Sequence, residues 1–272
     1  AGLASAVTLQ SAGLNLARIL GPSLAGPVIL LWGPQGAFVL YAIGALAAAT
    51  LMLRVPRLHR VEPVRHPGGI TASIRSGLAH VRARPPAGLA LATVAITSML
   101  GISYMSQLPA LAGEVSSEPG QAFLVMIFVA GIGSIGGVAF VGYRRHRVSV
   151  ATAAVELVLL GAAVALLGLA HSYAGILVIL IAVGGLSFGV MTMLANVLQA
   201  LVDDDQRGRV MSLYFICWGG LLPFGALALG ALSHAVGHTV AFATAGLLAT
   251  AAGVVVLLLS RNYPSLGAPV EV

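Results

Sequence analysis

Residues 21–38 read GPSLAGPVILLWGPQGAF and residues 225–242 read GALALGALSHAVGHTVAF. Under a shift of 204 residues Gly21 meets Gly225, Gly26 meets Gly230, Gly33 meets Gly237, and Ala37-Phe38 meets Ala241-Phe242. Leu9 also meets Leu213, and Ala45, Ala47 and Ala48 meet Ala249, Ala251 and Ala252. Alanine matches carry little weight in an alanine-rich chain. The glycines carry the signal, because two fall inside a helix, where small residues allow close backbone approach, and one falls in a turn.

Both stretches belong to apolar segments, of which there are eight, running approximately over 3–31, 37–55, 87–112, 121–142, 149–170, 173–200, 209–234 and 239–260. Each has roughly 20 residues or more, enough at 1.5 Å rise per residue to cross a hydrocarbon core about 30 Å thick. The shift lays the first two segments on the last two, so the repeating unit is six helices. An even unit keeps its copies in one orientation, a parallel repeat about the membrane normal. Two complete units need twelve helices, and the expectation is that four precede the eight seen here.

Composition places the chain in lipid. Hydrophobic residues make up 58% and charged residues 8%, against about 25% charged in soluble domains. All 14 basic residues are arginine, and all but Arg18, which lies inside the first segment, fall in alternate gaps between the apolar segments. Arg54, Arg57, Arg60, Arg65, Arg75, Arg82 and Arg84 follow the second segment, Arg144, Arg145 and Arg147 the fourth, Arg207 and Arg209 the sixth, and Arg261 the eighth. The gaps at 32–36, 113–120, 171–172 and 235–238 hold none. The positive-inside bias then puts both visible termini in the cytoplasm, in a multi-pass membrane protein. Trp32, Tyr143 and Tyr173, near segment ends, fit interfacial anchoring. The net charge of +6 does not imply nucleic-acid binding, since the arginines flank membrane segments without interleaved aromatics.

Four regions follow: 1–55, the last two helices of a first six-helix half; 56–86, a cytoplasmic linker; 87–260, a second half; and 261–272, a cytoplasmic tail. The linker opens irregularly through Pro56, Pro63, Pro67, Gly68 and Gly69. Ile70, Ile74, Leu78 and Val81 then recur at helical spacing, with Arg75 and Arg82 on other faces, which predicts an amphipathic helix at the cytoplasmic surface.

Ionisable groups inside spans are the best pointers to transport chemistry, since a central charge is costly and needs protein, water or a partner around it. Arg18 lies within the first segment, either facing a central cavity or held in a buried structural pair. Glu156 lies about two turns into the fifth; pairing with Arg144, Arg145 or Arg147 is the first expectation and proton carriage the second. Thr97, Ser98, Ser103, Tyr104, Ser106 and Gln107 crowd the third segment, and Asn196 and Gln199, three apart on one face, mark the sixth. Asn15, Tyr104, Gln107, Asn196 and Gln199, with Arg18, are the candidates for a substrate path; the last two alternatively hydrogen-bond between helices.

Two local motifs stand out. Asn15-Leu16-Ala17-Arg18-Ile19-Leu20-Gly21-Pro22-Ser23-Leu24-Ala25-Gly26 places a proline inside a lipid-embedded helix, where it frees a carbonyl one turn back and bends the helix while flanking glycines let a neighbour seal it. Gly21, Pro22 and Gly26 are thus either a packing kink or a gating element. Asp203-Asp204-Asp205-Gln206-Arg207-Gly208-Arg209-Val210 precedes the seventh segment: an aspartate can cap that helix while Arg207 and Arg209 stay at the headgroups, or Asp205, Arg207 and Arg209 form ion pairs at a cytoplasmic seam between halves. Both motifs and the six-helix repeat resemble the major facilitator superfamily, most closely its enterobactin-exporter-like and drug-exporting branch, with the chain read as helices five to twelve. The first is similar to the fifth-helix antiporter motif of those exporters, with Ala17 and Ala25 in place of glycines, and the second to their acidic-then-Arg-Gly-Arg sequence before helix eleven. The resemblance implies an all-α polytopic fold and proton-coupled export of small amphipathic molecules by alternating access, by a protein monomeric when complete, with no cofactor. The competing expectation is a truncated, non-transporting or regulatory membrane protein.

Other patterns are packing. Gly131-Ile132-Gly133-Ser134-Ile135-Gly136 spells a dinucleotide fingerprint and Gly185-Leu186-Ser187-Phe188-Gly189 a nucleophile elbow, but neither has a strand before it. Gly133 and Gly137, or Gly185 and Gly189, instead offer small faces for helix contact. Cys217 packs as a small hydrophobe. The seven histidines show no metal-ligand grouping. No catalytic set converges, and an enzyme is not expected.

Overall fold

The computed structural model describes residues 27–29, 31–33, 35–54, 69–143 and 149–263, without the side chains of 69, 70, 73, 204 and 205. All regular structure among them is helical. In chain order these helices are α1 (Gln35–Arg54), α2 (Gly69–Ala83), α3 (Pro85–Ile96), α4 (Leu108–Val115), α5 (Pro119–Tyr143), α6 (Val150–Leu169), α7 (Tyr173–Leu201), α8 (Asp204–Phe215), α9 (Leu222–Val236) and α10 (His238–Ser260). Helices α3 and α4 form one span, Pro85–Val115, and α8 and α9 another, Gln206–Val236; with α1, α5, α6, α7 and α10, seven described helices are long and apolar enough to cross a membrane. The segment at 3–31 falls almost wholly outside the described residues, and with it Asn15, Arg18, Gly21, Pro22 and Gly26.

An apolar helix leaves no backbone group unpaired in lipid, so what distinguishes these spans is how they pack. Glycine decides it. A Cβ on Gly133 would collide with the Ile181 carbonyl, one on Gly137 with that of Gly185, and one on Gly184 with that of Ala130, so α5 and α7 touch backbone to backbone. Helices α6 and α10 meet likewise: Gly161 lies under Gly246 and Thr250, Gly246 under Ala165, and Gly253 under Val158. Met126, Leu157, Leu160, Leu180, Leu194 and Phe242 are fully buried between the spans.

Serine caps α6 and α7. Ser149 Oγ accepts from Thr152 N at the start of α6, and Ser172 Oγ accepts from Gly175 N at the start of α7. Gly33 and Gly237 have φ of +68° and +84°, the two positive values among the described residues. They are the turn glycines that the 204-residue shift superimposes, so the repeat extends to backbone conformation at a place where other residues are strained.

Two spans are broken. A π turn (Thr97–Ile102) and a 3-10 turn (Ser103–Gln107) separate α3 from α4, and a π turn (Ile216–Gly220) separates α8 from α9. Each break ends just before a proline, Pro109 or Pro223, at the start of the next helix. Proline offers no N–H, and its ring clashes with the carbonyl four residues back, so the ladder must change register ahead of it.

Helix α2 docks on α8 at the arginine-bearing end. Gly77 lies against Arg209 and Leu213, Val81 is buried, and Arg75 and Arg82 are exposed. The expected apolar stripe is only partly used: Leu78 is half buried, but Ile74 is 42% exposed. The small residues Ser76 and Gly77 let α2 sit close to α8, which shifts its contact face.

Candidate functional site: a pocket between two broken spans

The breaks face each other. Ser98 Oγ, in the first, donates to the Trp218 carbonyl, in the second, at 2.5 Å. A π turn leaves carbonyls without their usual i+4 partner, and this hydroxyl satisfies one of them. One turn on, a Cβ at Gly225 would stand 2.7 Å from Met99 Cα. Backbone contact therefore holds α9 against the first break.

Beside this seam is a pocket of about 230 Å³. Ile102 and Met105 contribute from the first break, Trp218, Gly219 and Leu222 from the second, with Tyr214 one turn earlier on α8. The opposite wall is α7, through Ser187, Phe188, Met191 and Thr192. The Tyr214 hydroxyl donates to the Met191 carbonyl at 3.2 Å, fixing α8 to α7. The Tyr214 ring meets Phe215 edge-on at 5.3 Å and lies 6.2 Å from Trp218. Among the described residues no charged side chain lines the pocket. Cys217, in the same break, is half buried and a free thiol.

The described candidates, Tyr104, Gln107, Asn196 and Gln199, fall outside the lining of this pocket. Tyr104 is 1% exposed and lies beside Ser187. Gln107 is half buried, donating to Ser106 Oγ at 3.2 Å and packing under Gly230. Asn196 is exposed and Gln199 half exposed. On α7 Phe188, Thr192, Asn196 and Gln199 follow at intervals of four, four and three, so one stripe leads from the pocket towards the arginine-bearing end. Ser187, Met191, Trp218 and the helix breaks escaped the sequence reading, although Pro109 and Pro223 marked where the breaks end.

Glu156 lies behind the pocket wall, on α6. It is 7% exposed, and its Oε2 has no hydrogen-bond partner among the described residues. Its niche exists because α7 carries glycine there: a Cβ at Gly189 would stand 2.8 Å from Oε2. Gly189 thus makes room for a carboxylate as well as for helix contact. Arg144, Arg145 and Arg147, its expected partners, lie outside the described residues. One turn on from Glu156, Leu160 packs on Gly101 in the first break.

At the arginine-bearing end, Arg84 Nη2 meets Asp203 Oδ2 at 2.5 Å, while Arg84 Nη1 donates to the Leu201 carbonyl and His80 Nε2 lies 3.9 Å from the same carboxylate. Arg209 Nη1 donates to Ser76 Oγ at 2.9 Å and to Gln206 Oε1 at 3.0 Å. Asp203 holds the N-cap position of α8 but makes no capping bond, because Arg84 takes its carboxylate; the side chains of Asp204 and Asp205, the other capping candidates, lie outside the described residues. Among the described residues the partners of Asp203 and Arg209 belong to α2, α8 and the start of α3. Arg207 lies on α8, half exposed, and the backbone of Asp205 in its first turn. At the other end His238 Nδ1 meets Glu114 Oε1 at 2.8 Å. Among the described residues no three His, Cys, Asp or Glu lie close enough together to hold a metal.

A family model described as transmembrane secretion effector matches residues 1–265. No match was found among curated proteins. The matched family is one of transporters rather than enzymes, and it agrees with the seven apolar spans and the packed helical bundle. The chain belongs to the transmembrane secretion effector family of major facilitator transporters.

Proposed function

We propose that this protein exports small amphipathic molecules, drug-like or siderophore-like, across the bacterial inner membrane by alternating access driven by proton exchange. The observation that carries this reading is the apolar pocket set between two broken spans whose breaks are hydrogen-bonded to each other. Breaks of this kind let irregular backbone line a cavity at membrane depth, as in many secondary transporters. The arginine-bearing end is taken as cytoplasmic, by the positive-inside bias. Cargo would enter from that side along Asn196 and Gln199, reach the pocket, and leave past the contact between His238 at the start of α10 and Glu114 at the end of α4.

Glu156 is the coupling group in this reading. An ionisable group enclosed at membrane depth, its Oε2 without a hydrogen-bond partner among the described residues, would take up and release a proton as its hydration changes while the bundle rocks. The clamp of Arg84 on Asp203 and of Arg209 on Ser76 would hold the cytoplasmic end of α8 shut, with Gly21, Pro22 and Gly26 bending the first span on the facing side. In everted membrane vesicles, an imposed inward-acid proton gradient should drive accumulation of a fluorescent amphipathic dye, and collapsing the gradient should stop it. Equal accumulation with and without the gradient would remove proton coupling, and no accumulation at all would favour a non-transporting role.

A further inference from the structure

Helix α2 lies along the membrane edge, with one face on the protein and one left over. Its last residue, Ala83, is separated by a single residue from the span Pro85–Val115. A Cβ at Gly77 would stand 3.3 Å from Arg209 Cβ and 3.3 Å from Leu213 Cδ1, at the turn where α8 passes from charged into apolar sequence. Both anchors hold α2 at the depth where headgroups meet acyl chains. Gly77 and Val81 are buried, whereas Arg75, Ala79 and Arg82 are exposed, and Ile74 and Leu78 are covered only in part. At about 100° per residue, Ile74, Leu78, Arg82 and Arg75 follow one another around the helix in steps of about 40° or less. An apolar edge thus passes directly into a basic one. The sequence of α2 contains no acidic residue, and among the described residues neither Arg75 nor Arg82 has an ion-pair or hydrogen-bond partner.

We propose that this face of α2 binds anionic phospholipid of the cytoplasmic leaflet, with Arg75 and Arg82 on phosphate oxygens and Ile74 among the first carbons of the acyl chains. A guanidinium presents paired N–H donors that match a phosphate. Residues 75 and 82 are two turns apart, about 10 Å along the axis, so each takes a headgroup of its own. Charge selects the occupant. A zwitterionic headgroup carries its own cation beside the phosphate, whereas an anionic one leaves its charge for the arginines, the attraction that draws basic segments beside a span to the leaflet. A soluble anion would use the arginines and leave Ile74 in water. The grip steadies more than α2, because Ser76 accepts from Arg209 and the helix leads into Arg84, which bonds to Leu201 and Asp203. The leaflet follows from the arginine asymmetry, and the binding does not depend on what the protein carries.

The chain has one cysteine, so Cys217→Ser with Ala79→Cys puts a single bimane label on the exposed face. The labelled protein, in phosphatidylcholine nanodiscs, would be given rising fractions of phosphatidylglycerol or phosphatidylcholine bearing a nitroxide high on the acyl chain, which quenches bimane on contact. The anionic lipid should be preferred, by about five-fold for each arginine. Arg75→Gln and Arg82→Gln should each lower the preference about five-fold, and both together should abolish it, while Arg75→Lys with Arg82→Lys should retain most of it. Arg261→Gln, which removes the same charge from the end of α10, should leave it unchanged. A preference that survives the double glutamine variant, or that falls as far with Arg261→Gln, overturns the proposal, and so does equal quenching by the two lipids. Weak quenching by both also overturns it, and two copies per disc would then assign the face to a second copy of this chain. Ala83→Cys, exposed on the same helix, carries the label if the first variant is not monodisperse. Dye accumulation is scored separately, so a transporting protein without the lipid preference sinks only this inference.

Discussion

The Ser98 hydroxyl donates to the Trp218 carbonyl, joining the π turn of one broken span to that of another 120 residues away in sequence. Ser98 is fully buried, so its bond to Trp218 is shielded from water. Ser98→Ala should therefore cost about 0.5–1.5 kcal/mol, the net contribution of one hydrogen bond. A drop in thermal midpoint together with a change in Trp218 emission would report it. An unchanged midpoint would mean that the two breaks are held by packing alone.

The contact between Gly225 and Met99 acts on the same seam by sterics. Gly225→Ala places a methyl group into backbone that cannot rotate away, and α9 must lift from the first break. The expected outcome is a larger destabilisation than Ser98→Ala and loss of the pocket, read as a larger change in Trp218 emission.

Helix glycines divide into two groups that length and hydropathy do not distinguish. Gly137 lies against the Gly185 carbonyl, whereas Gly136, its neighbour, has open space where a Cβ would go. Gly137→Ala should abolish the folded bundle, seen as loss of a monodisperse peak in detergent. Gly136→Ala should stay within about 1 kcal/mol of the parent, with any change towards greater stability.

Much of this architecture is legible in the chain. Segment length and the alternation of arginine locate the spans, and the pairing of Gly33 with Gly237 anticipates two turns that share a positive φ. The pocket is not legible in the same way. Ser187 sits in a motif that reads as helix packing, and Met191 and Trp218 are apolar residues in apolar spans, so nothing local separates them from lipid-facing neighbours. What makes them a site is the opposition of two breaks, a long-range relationship for which Pro109 and Pro223 were the only local signs. Tyr104 and Gln107 were singled out for polarity and prove to lie beside the pocket, because a polar group in a span is drawn to other protein whether or not cargo is there.

Arg84 and Asp203 are both substantially exposed, with side-chain exposures of 39% and 53%, so their attraction is screened and a double-mutant cycle should give a coupling of about 0.2–1 kcal/mol. Arg84 also bonds to the Leu201 carbonyl at the end of α7. Arg84→Ala should therefore destabilise more than Asp203→Ala, and the excess should persist in high salt while the coupling fades. Equal costs for the two single variants would show that the carbonyl bond contributes nothing.

Glu156 and Gly189 offer the sharpest test of coupling, because one supplies the carboxyl and the other its space. Glu156→Gln keeps the shape and the apolar packing around α6 but removes the titrating oxygen, so the protein should fold with an unchanged midpoint while dye accumulation loses its dependence on the proton gradient. Gly189→Ala leaves the carboxyl in place and puts a methyl group 2.8 Å from its Oε2. The side chain must then move, and gradient-driven transport should fall at least ten-fold, a barrier increase of about 1.4 kcal/mol, with Glu156 still present. Vesicle transport at matched expression distinguishes the outcomes. If Glu156→Gln retains full gradient dependence, the coupling proton is carried elsewhere, and Gly189→Ala should then alter only stability.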